Sequence, residues 1–322
     1  MAMRRCSGLL AALLLFAAAP LAFAQAWPSK PVRVIVNVAP GGAVDQITRP
    51  LAARLAEAFG QPFLVEYRAG AGGSIGIEAV AKSPADGHTL LSSAGTPIVV
   101  NPHLYAKLAA DPAKDIEPVA PTARVSLFLV VRPGLAAKSV AELVALAKAQ
   151  PGKLSFGSAG HGTAPHVGTE MFLRAAGIRA THVPYKGVGP ALADLLGGHL
   201  DFLFDAGPSL PHVKADKLRL LAVATGTRLP GFPDVPTLAE LGVPIDADTM
   251  FGIYAPAGTP RDIVVRLNRE IGRVMQSAEL RTVLAALGAE PMVASPEEFA
   301  VRLHRDRERF GIIVREANIR IE

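Results

Sequence analysis

The sequence predicts an α/β chain of two domains, each a mostly parallel sheet with helices on its faces. Short β-branched runs alternate with helical patterns along the chain, which is how parallel strands and their crossover helices read in sequence. The length of 322 residues suits two domains of ordinary size. Half the residues are apolar and 19% are charged, so full cores can form. The clearest single element is 32–45, where a β-branched run empties into Pro40-Gly41-Gly42 and a helix-like segment follows at once.

Taken in order, the chain opens with the layout of a secretory signal over residues 1–24. Arg4 and Arg5 precede the apolar run 9–19, Pro20 breaks it, and Ala22-Phe23-Ala24 supplies the cleavage pattern before Gln25. That run is too short for a bilayer, which takes about 20 residues, so the expectation is export with no lasting membrane anchor. Cys6, the one cysteine, lies in the segment to be removed. The mature chain then has no disulfide, cysteine nucleophile or sulfur-bound metal. Strands are predicted at Val32–Val38, Thr89–Ser92, Leu127–Val131, Leu154–Phe156, Asp201–Phe204 and Leu218–Ala222. Ser139-Val140-Ala141-Glu142 is a capping box, and Thr163 or Ala164 before Pro165 starts a helix that Gly177 closes. The last third is helical, with starts at Thr259-Pro260, Ser277 and Ser295-Pro296. Charges at Arg302, Arg305, Asp306, Arg307, Glu308 and Arg309 read as a solvated face. Without Arg4 and Arg5 the 33 basic residues become 31 against 28 acidic ones, a formal charge of +3. With no basic block or interleaved aromatics, a nucleic-acid partner is not expected.

Function points to the loops. At Pro40, Gly41, Gly42, Ala43, Val44 and Asp45, glycines let main-chain N–H groups approach a ligand, and the following helix adds partial positive charge. A second such turn is Ser158-Ala159-Gly160-His161-Gly162-Thr163, entered from Gly157. An echo, Ser93-Ala94-Gly95 with Thr96, follows another strand, at the carboxyl edge where open α/β sheets bind ligands. Two cradles facing across a cleft would clamp an anion without lysine or arginine; either turn alone reads equally well as an ordinary connection. His161 is a possible donor, Tyr185 a possible pocket wall, and Asp205 either holds its own loop or meets the ligand. Gly70-Ala71-Gly72-Gly73-Ser74-Ile75-Gly76 lacks the third glycine of the dinucleotide fingerprint and reads as a turn opening a helix. Ser158 and Ser209 miss the hydrolase elbow. His161 and His166 are five apart, which does not stack them on one helix face for a metal, and His166 and His182 read as packing or capping residues. Neither cofactor nor metal nor catalytic residue is expected.

Several blocks in one order resemble the Bug family, the TctC-like periplasmic receptors of tripartite tricarboxylate transporters. They include Trp27-Pro28-Ser29-Lys30-Pro31, Ala39-Pro40-Gly41-Gly42, Gly70-Ala71-Gly72-Gly73, Asp86-Gly87-His88-Thr89-Leu90, His182-Val183-Pro184-Tyr185-Lys186-Gly187, Asp234-Val235-Pro236-Thr237 and Ala255-Pro256-Ala257-Gly258-Thr259-Pro260. The resemblance covers essentially the whole mature chain. It implies a two-lobe periplasmic-binding-protein fold (type II-like), with residues 25–124 and 249–322 in one lobe and 125–248 in the other. It also implies a monomeric, non-enzymatic periplasmic receptor that holds a small carboxylate, a dicarboxylate or aromatic acid, and presents it to a membrane permease. A receptor that docks to a sensor and a secreted enzyme using the same cleft remain the alternatives. Many family members carry Thr or Ser where this chain has Val44, which points to a ligand with an apolar or aromatic part.

Overall fold

The computed structural model describes residues 27–245, 247–316 and Ile319; the expected signal at 1–24 lies outside the described residues. Numbered along the chain, the first half runs β1 (Val32–Val36), α1 (Ala43–Phe59), β2 (Phe63–Tyr67), α2 (Ser74–Ala81), β3 (Thr89–Ala94), α3 (Gly95–Leu104) and β4 (Ile116–Val125). Next come β5 (Phe128–Val131), α4 (Val140–Ala149), β6 (Ser155–Ser158), α5 (Ala164–Ala176), β7 (Thr181–Pro184), α6 (Val188–Leu196), β8 (Phe202–Asp205), α7 (Leu210–Lys214) and β9 (Arg219–Val223). The chain closes with β10 (Thr249–Pro256), α8 (Arg261–Met275), α9 (Ala278–Ala286), β11 (Ala289–Pro291) and α10 (Pro296–Glu316). The α/β reading holds and each expected strand is present within a few residues, but both sheets are mixed rather than mostly parallel, because β5 and β10 run antiparallel to their neighbours.

The strands form two sheets, ordered β11-β4-β10-β3-β1-β2 and β7-β6-β8-β5-β9. In the first, β1 pairs in parallel with β2 and β3, while β10 runs antiparallel between β3 and β4. In the second, β6 is parallel to β7 and β8, and β5 is antiparallel to β8 and β9. The antiparallel strands β5 and β10 lie where the chain changes sheet. Ser126 and Leu127 carry it from β4 into β5, and residues 224–248 bring it back from β9 into β10.

Local chemistry explains the boundaries. Ser139 Oγ accepts the Glu142 N–H at 3.2 Å, and Ser295 and Glu298 cap each other's backbone at 3.2 and 2.8 Å. Gly177 ends α5 in the left-handed region at φ 62°. Helix α8 buries Ile263, Leu267, Ile271 and Val274, one face at helical spacing. On α10, Phe299, Leu303 and Phe310 are buried; Asp306 is buried with them, whereas Arg305 and Glu308 stay in solvent. Phe156, Phe172, Phe202 and Phe204 fill the core beneath the second sheet.

Candidate functional site

The first loop leaves β1 at Asn37 and enters α1 at Ala43, with Gly42 at the N-cap and no side chain capping the helix. The first helical bond is from Gln46 N–H to Gly42 O, so the amides before it are open to an outside acceptor. Asp45 faces back toward its own loop rather than a ligand. Its carboxylate accepts Gly41 N–H at 2.9 Å, Tyr67 Oη–H at 2.5 Å and Arg49 Nε–H at 2.8 Å. Burial, reinforced by that carboxylate, pushes the Tyr67 hydroxyl up to about 12.

The second loop joins β6 to α5 and is organised by its own hydroxyls. Ser158 Oγ accepts Gly160 N–H at 3.0 Å and pairs with His182 Nε2 at 2.7 Å, while Thr163 Oγ donates to Gly160 O at 2.6 Å. The first helical bond, Val167 N–H to Thr163 O, again leaves the initial amides free, although Pro165 has none to offer. In the third loop, Asn37 Nδ2 donates to Ser93 Oγ at 2.9 Å, and the hydroxyls of Thr96 and Thr249 pair at 2.8 Å.

These loops meet where the two sheet units touch. Ala39 N–H donates to Lys186 O at 2.8 Å across the seam. Side chains are excluded there by distance. A Cβ on Gly72 would lie 1.9 Å from His161 O, one on Gly162 2.1 Å from Asn101 Oδ1, and one on Gly189 2.4 Å from Pro40 O. Asn101 Nδ2 donates to Gly72 O at 3.2 Å and Ser74 Oγ at 2.9 Å, which pins the glycine-rich turn to α3 of its own unit at the seam. The turn at 70–73 does open a helix, α2, and it is also a contact surface.

Within the seam is a small pocket of about 50 Å³. Gly42, Ala43, Val44 and Ala94 line it from one unit, and Ala159, Thr163 and Ala164 from the other. Val38, Val188 and Phe251 make its walls apolar, and no lysine or arginine lines it among the described residues. Pro40, Gly41, Asp45, Ser93, Gly95, Thr96, Ser158, Gly160, His161 and Gly162 belong to the same three loops but do not line that pocket. A larger groove of about 430 Å³, between Ile98, Pro112, Leu303 and Arg307, belongs to the first unit alone.

Tyr185 is engaged within its own unit, and Asp205 takes the loop-holding role of the two expected for it. Tyr185 Oη–H donates to Asp194 on α6 at 2.5 Å, and burial pushes that phenol up to about 12. Asp205 is fully buried and accepts Gly207 N–H, Ser209 N–H and Ser209 Oγ–H at 2.7–3.1 Å, so it holds its own loop. Burial nevertheless pushes its carboxyl up to about 6. Sequence reasoning overlooked Asn37, Asn101, Thr249 and Phe251, whose contacts join segments of the first unit that are far apart in the chain, and Gly189, which meets Pro40 across the seam. It also separated histidines that the fold gathers: His161, His166 and His182 place donor nitrogens within 4.8 Å of one another. Burial and the neighbouring rings push His166 down to about 3 and His182 down to about 4.

The chain is similar in sequence and in fold to known proteins. BugT of Bordetella pertussis is 39% identical over 308 residues, covering 95% of this chain and 94% of BugT. An R. palustris protein solved with adipate is 36% identical at a TM-score of 0.88, covering 91% of this chain and 99% of that one. MatC from Rhodopseudomonas palustris, solved with bound malate, is 31% identical at a TM-score of 0.85, covering 89% and 100%. The family model described as "Tripartite tricarboxylate transporter family receptor" matches residues 47–319. By that match over most of its length, and by the shared two-sheet architecture, the chain belongs to the TctC receptor family of periplasmic binding proteins.

Proposed function

We propose that the chain captures a small carboxylate between two lobes, 25–124 with 249–322 and 125–248, and delivers it to a tripartite-type membrane permease. The observation that carries this reading is the pocket at the seam, which is lined by both units, walled largely by apolar groups, and approached by two uncapped helix N-termini. Amides of Gly42, Ala43 and Val44 on one side and Ala164 on the other take the carboxylate, with the dipoles of α1 and α5 behind them. Charge-assisted hydrogen bonds contribute about 1.5–3 kcal/mol each. Micromolar binding needs about 8 kcal/mol net, so a few such bonds suffice after ordering costs. Closure follows because the anion meets both cradles only in the closed form. Adipate and malate in the related proteins support the ligand class. Val44 on the cavity wall favours an acid with an apolar part.

The test is thermal unfolding of refolded, ligand-stripped protein against carboxylic acids and their matched amides. At a hundred times its dissociation constant, a ligand stabilises the protein by about 2.7 kcal/mol. A shift for an acid and none for its amide is the expected result. Equal shifts for acid and amide, or none for any acid, defeat the carboxylate reading. Reconstitution of uptake in vesicles with the cognate permease separates delivery from a sensor role.

A further inference from the structure

One cluster of side chains lies outside the lining of the seam pocket. His182 on β7 pairs in register with Phe156 on β6, and their rings stack at 4.8 Å. That register sets His182 beside the loop leaving β6 and beside the first turn of α5. The rings of His166 and His182 lie 4.4 Å apart, and His161 stands edge-on to both, at 5.2 and 4.9 Å. The scaffold orients two of the three. Gly162 N–H donates to His166 Nδ1 at 3.2 Å, and Ser158 Oγ pairs with His182 Nε2 at 2.7 Å. The third is unspent: His161 Nδ1 is shielded from solvent with no hydrogen-bond partner among the described residues.

We propose that His161, His166 and His182 form a three-imidazole site for a divalent transition metal of the Zn²⁺, Ni²⁺ or Cu²⁺ class. Neutral imidazoles suit these borderline ions, whereas Mg²⁺ and Ca²⁺ require oxygen donors that the trio lacks. Three protein ligands leave an open position for water, as in other three-ligand sites. Metal–nitrogen bonds of about 2.0–2.1 Å put tetrahedral donors roughly 3.3 Å apart. The trio therefore draws in from its 4.8 Å spread, and His161, on a loop, supplies the movement. Ser158 Oγ, taking the Nε2–H of His182, is the outer contact that aims that ring and leaves its Nδ1 for the ion, whereas His166 meets the ion through Nδ1 only by giving up the Gly162 N–H. Because His161 O abuts Gly72, the ion would brace the loop at the seam. This assignment stands independently of the carboxylate reading.

The experiment uses untagged protein stripped with chelator and desalted. Calorimetric titration and thermal unfolding are run with zinc, nickel, magnesium and calcium chlorides, and Co²⁺ is added to follow its visible ligand-field bands. The expected result is one equivalent of Zn²⁺ or Ni²⁺ bound, a raised Tm, tetrahedral Co²⁺ bands, and no response to magnesium or calcium. His161→Ala should weaken binding at least about tenfold while the metal-free Tm stays close to that of the parent; His161→Gln replaces it if the smaller side chain unfolds the loop. His304→Ala, on the exposed face of α10, should bind as the parent does. Absence of stoichiometric binding, binding that survives loss of His161, or loss of binding in His304→Ala would overturn the assignment.

Discussion

Gly189→Ala separates closure from folding because the two should move in opposite directions. Gly189 is the second residue of α6, where a methyl group is compatible with the helix. Replacing glycine by alanine within a helix stabilises by about 0.5–1 kcal/mol, and somewhat less in a first turn. The same methyl would lie 2.4 Å from Pro40 O, while real contacts of this kind do not fall below 3.0 Å. The seam must therefore part by at least 0.6 Å at the first cradle. That movement stretches the neighbouring bond from Ala39 N–H to Lys186 O, now 2.8 Å, which is worth about 0.5–1.5 kcal/mol. It also pulls the amides of Gly42 and Ala43 off any anion shared with the second loop, costing about one charge-assisted bond. Together these amount to about 2–4 kcal/mol, or roughly thirty- to a thousandfold in affinity. The assay is calorimetric titration with adipate and malate, beside thermal unfolding of the ligand-free protein. Affinity within threefold of the parent would refute the claim that the seam closes on the ligand. A fall in ligand-free Tm would instead mean that the methyl disrupts the second unit itself.

The remaining predictions address single groups. Asp45→Asn should lower stability by about 1.5–3 kcal/mol, since an amide cannot serve all three donors that the carboxylate accepts, and thermal unfolding reads this directly. In the parent, ultraviolet titration should show Tyr67 and Tyr185 ionising near pH 12; their folded values are raised, so the stability they contribute is complete below about pH 10 and lost as pH rises through 12. Asp205→Asn should lower stability by about 1–3 kcal/mol while changing ligand affinity less than threefold, because this carboxylate serves its own turn. Val44→Thr should shift preference from acids with an apolar part toward short dicarboxylates, and an unchanged ranking across the acid panel would remove Val44 from specificity.

Much of the fold was legible because its strands declare themselves locally. The run Val32–Val36 and the aromatic strand Phe202–Asp205 are β-branched or aromatic and bounded by turns. The strands β4 and β10 were not assigned, although they are the longest. In β4, Pro118 and Pro121 interrupt the pattern. Each sits at a register shift against β10, where Thr122 and Val119 are skipped, and a bulge is where a strand tolerates proline. The prolines that hid this strand are thus accommodated by its irregular pairing.

The site divides along the same line. Sequence located the loops at 40–45, 93–96 and 158–163 because glycine between a strand and a helix has a local physical meaning. It could not rank the side chains within them. Asp45 read as part of the first cradle, Tyr185 as a possible pocket wall and Asp205 as either a loop holder or a ligand contact, and each is engaged by a partner on its own unit: Tyr67, Asp194 and Ser209. The glycine turn at 70–73 shows the converse. Judged as a cofactor fingerprint it fails, and judged as a turn it is unremarked, but its close approach to His161 O and its anchoring by Asn101 make it part of the seam. The histidines show the reach of the same limit. Spacing along one helix argued against a shared site for His161 and His166, and the third ring arrives from a parallel neighbour strand, through a register that no linear spacing records. On the proposed reading, main-chain recognition leaves little trace of the ligand in the side chains, whereas the packing that brings the two units together is written in the glycines that must stay bare.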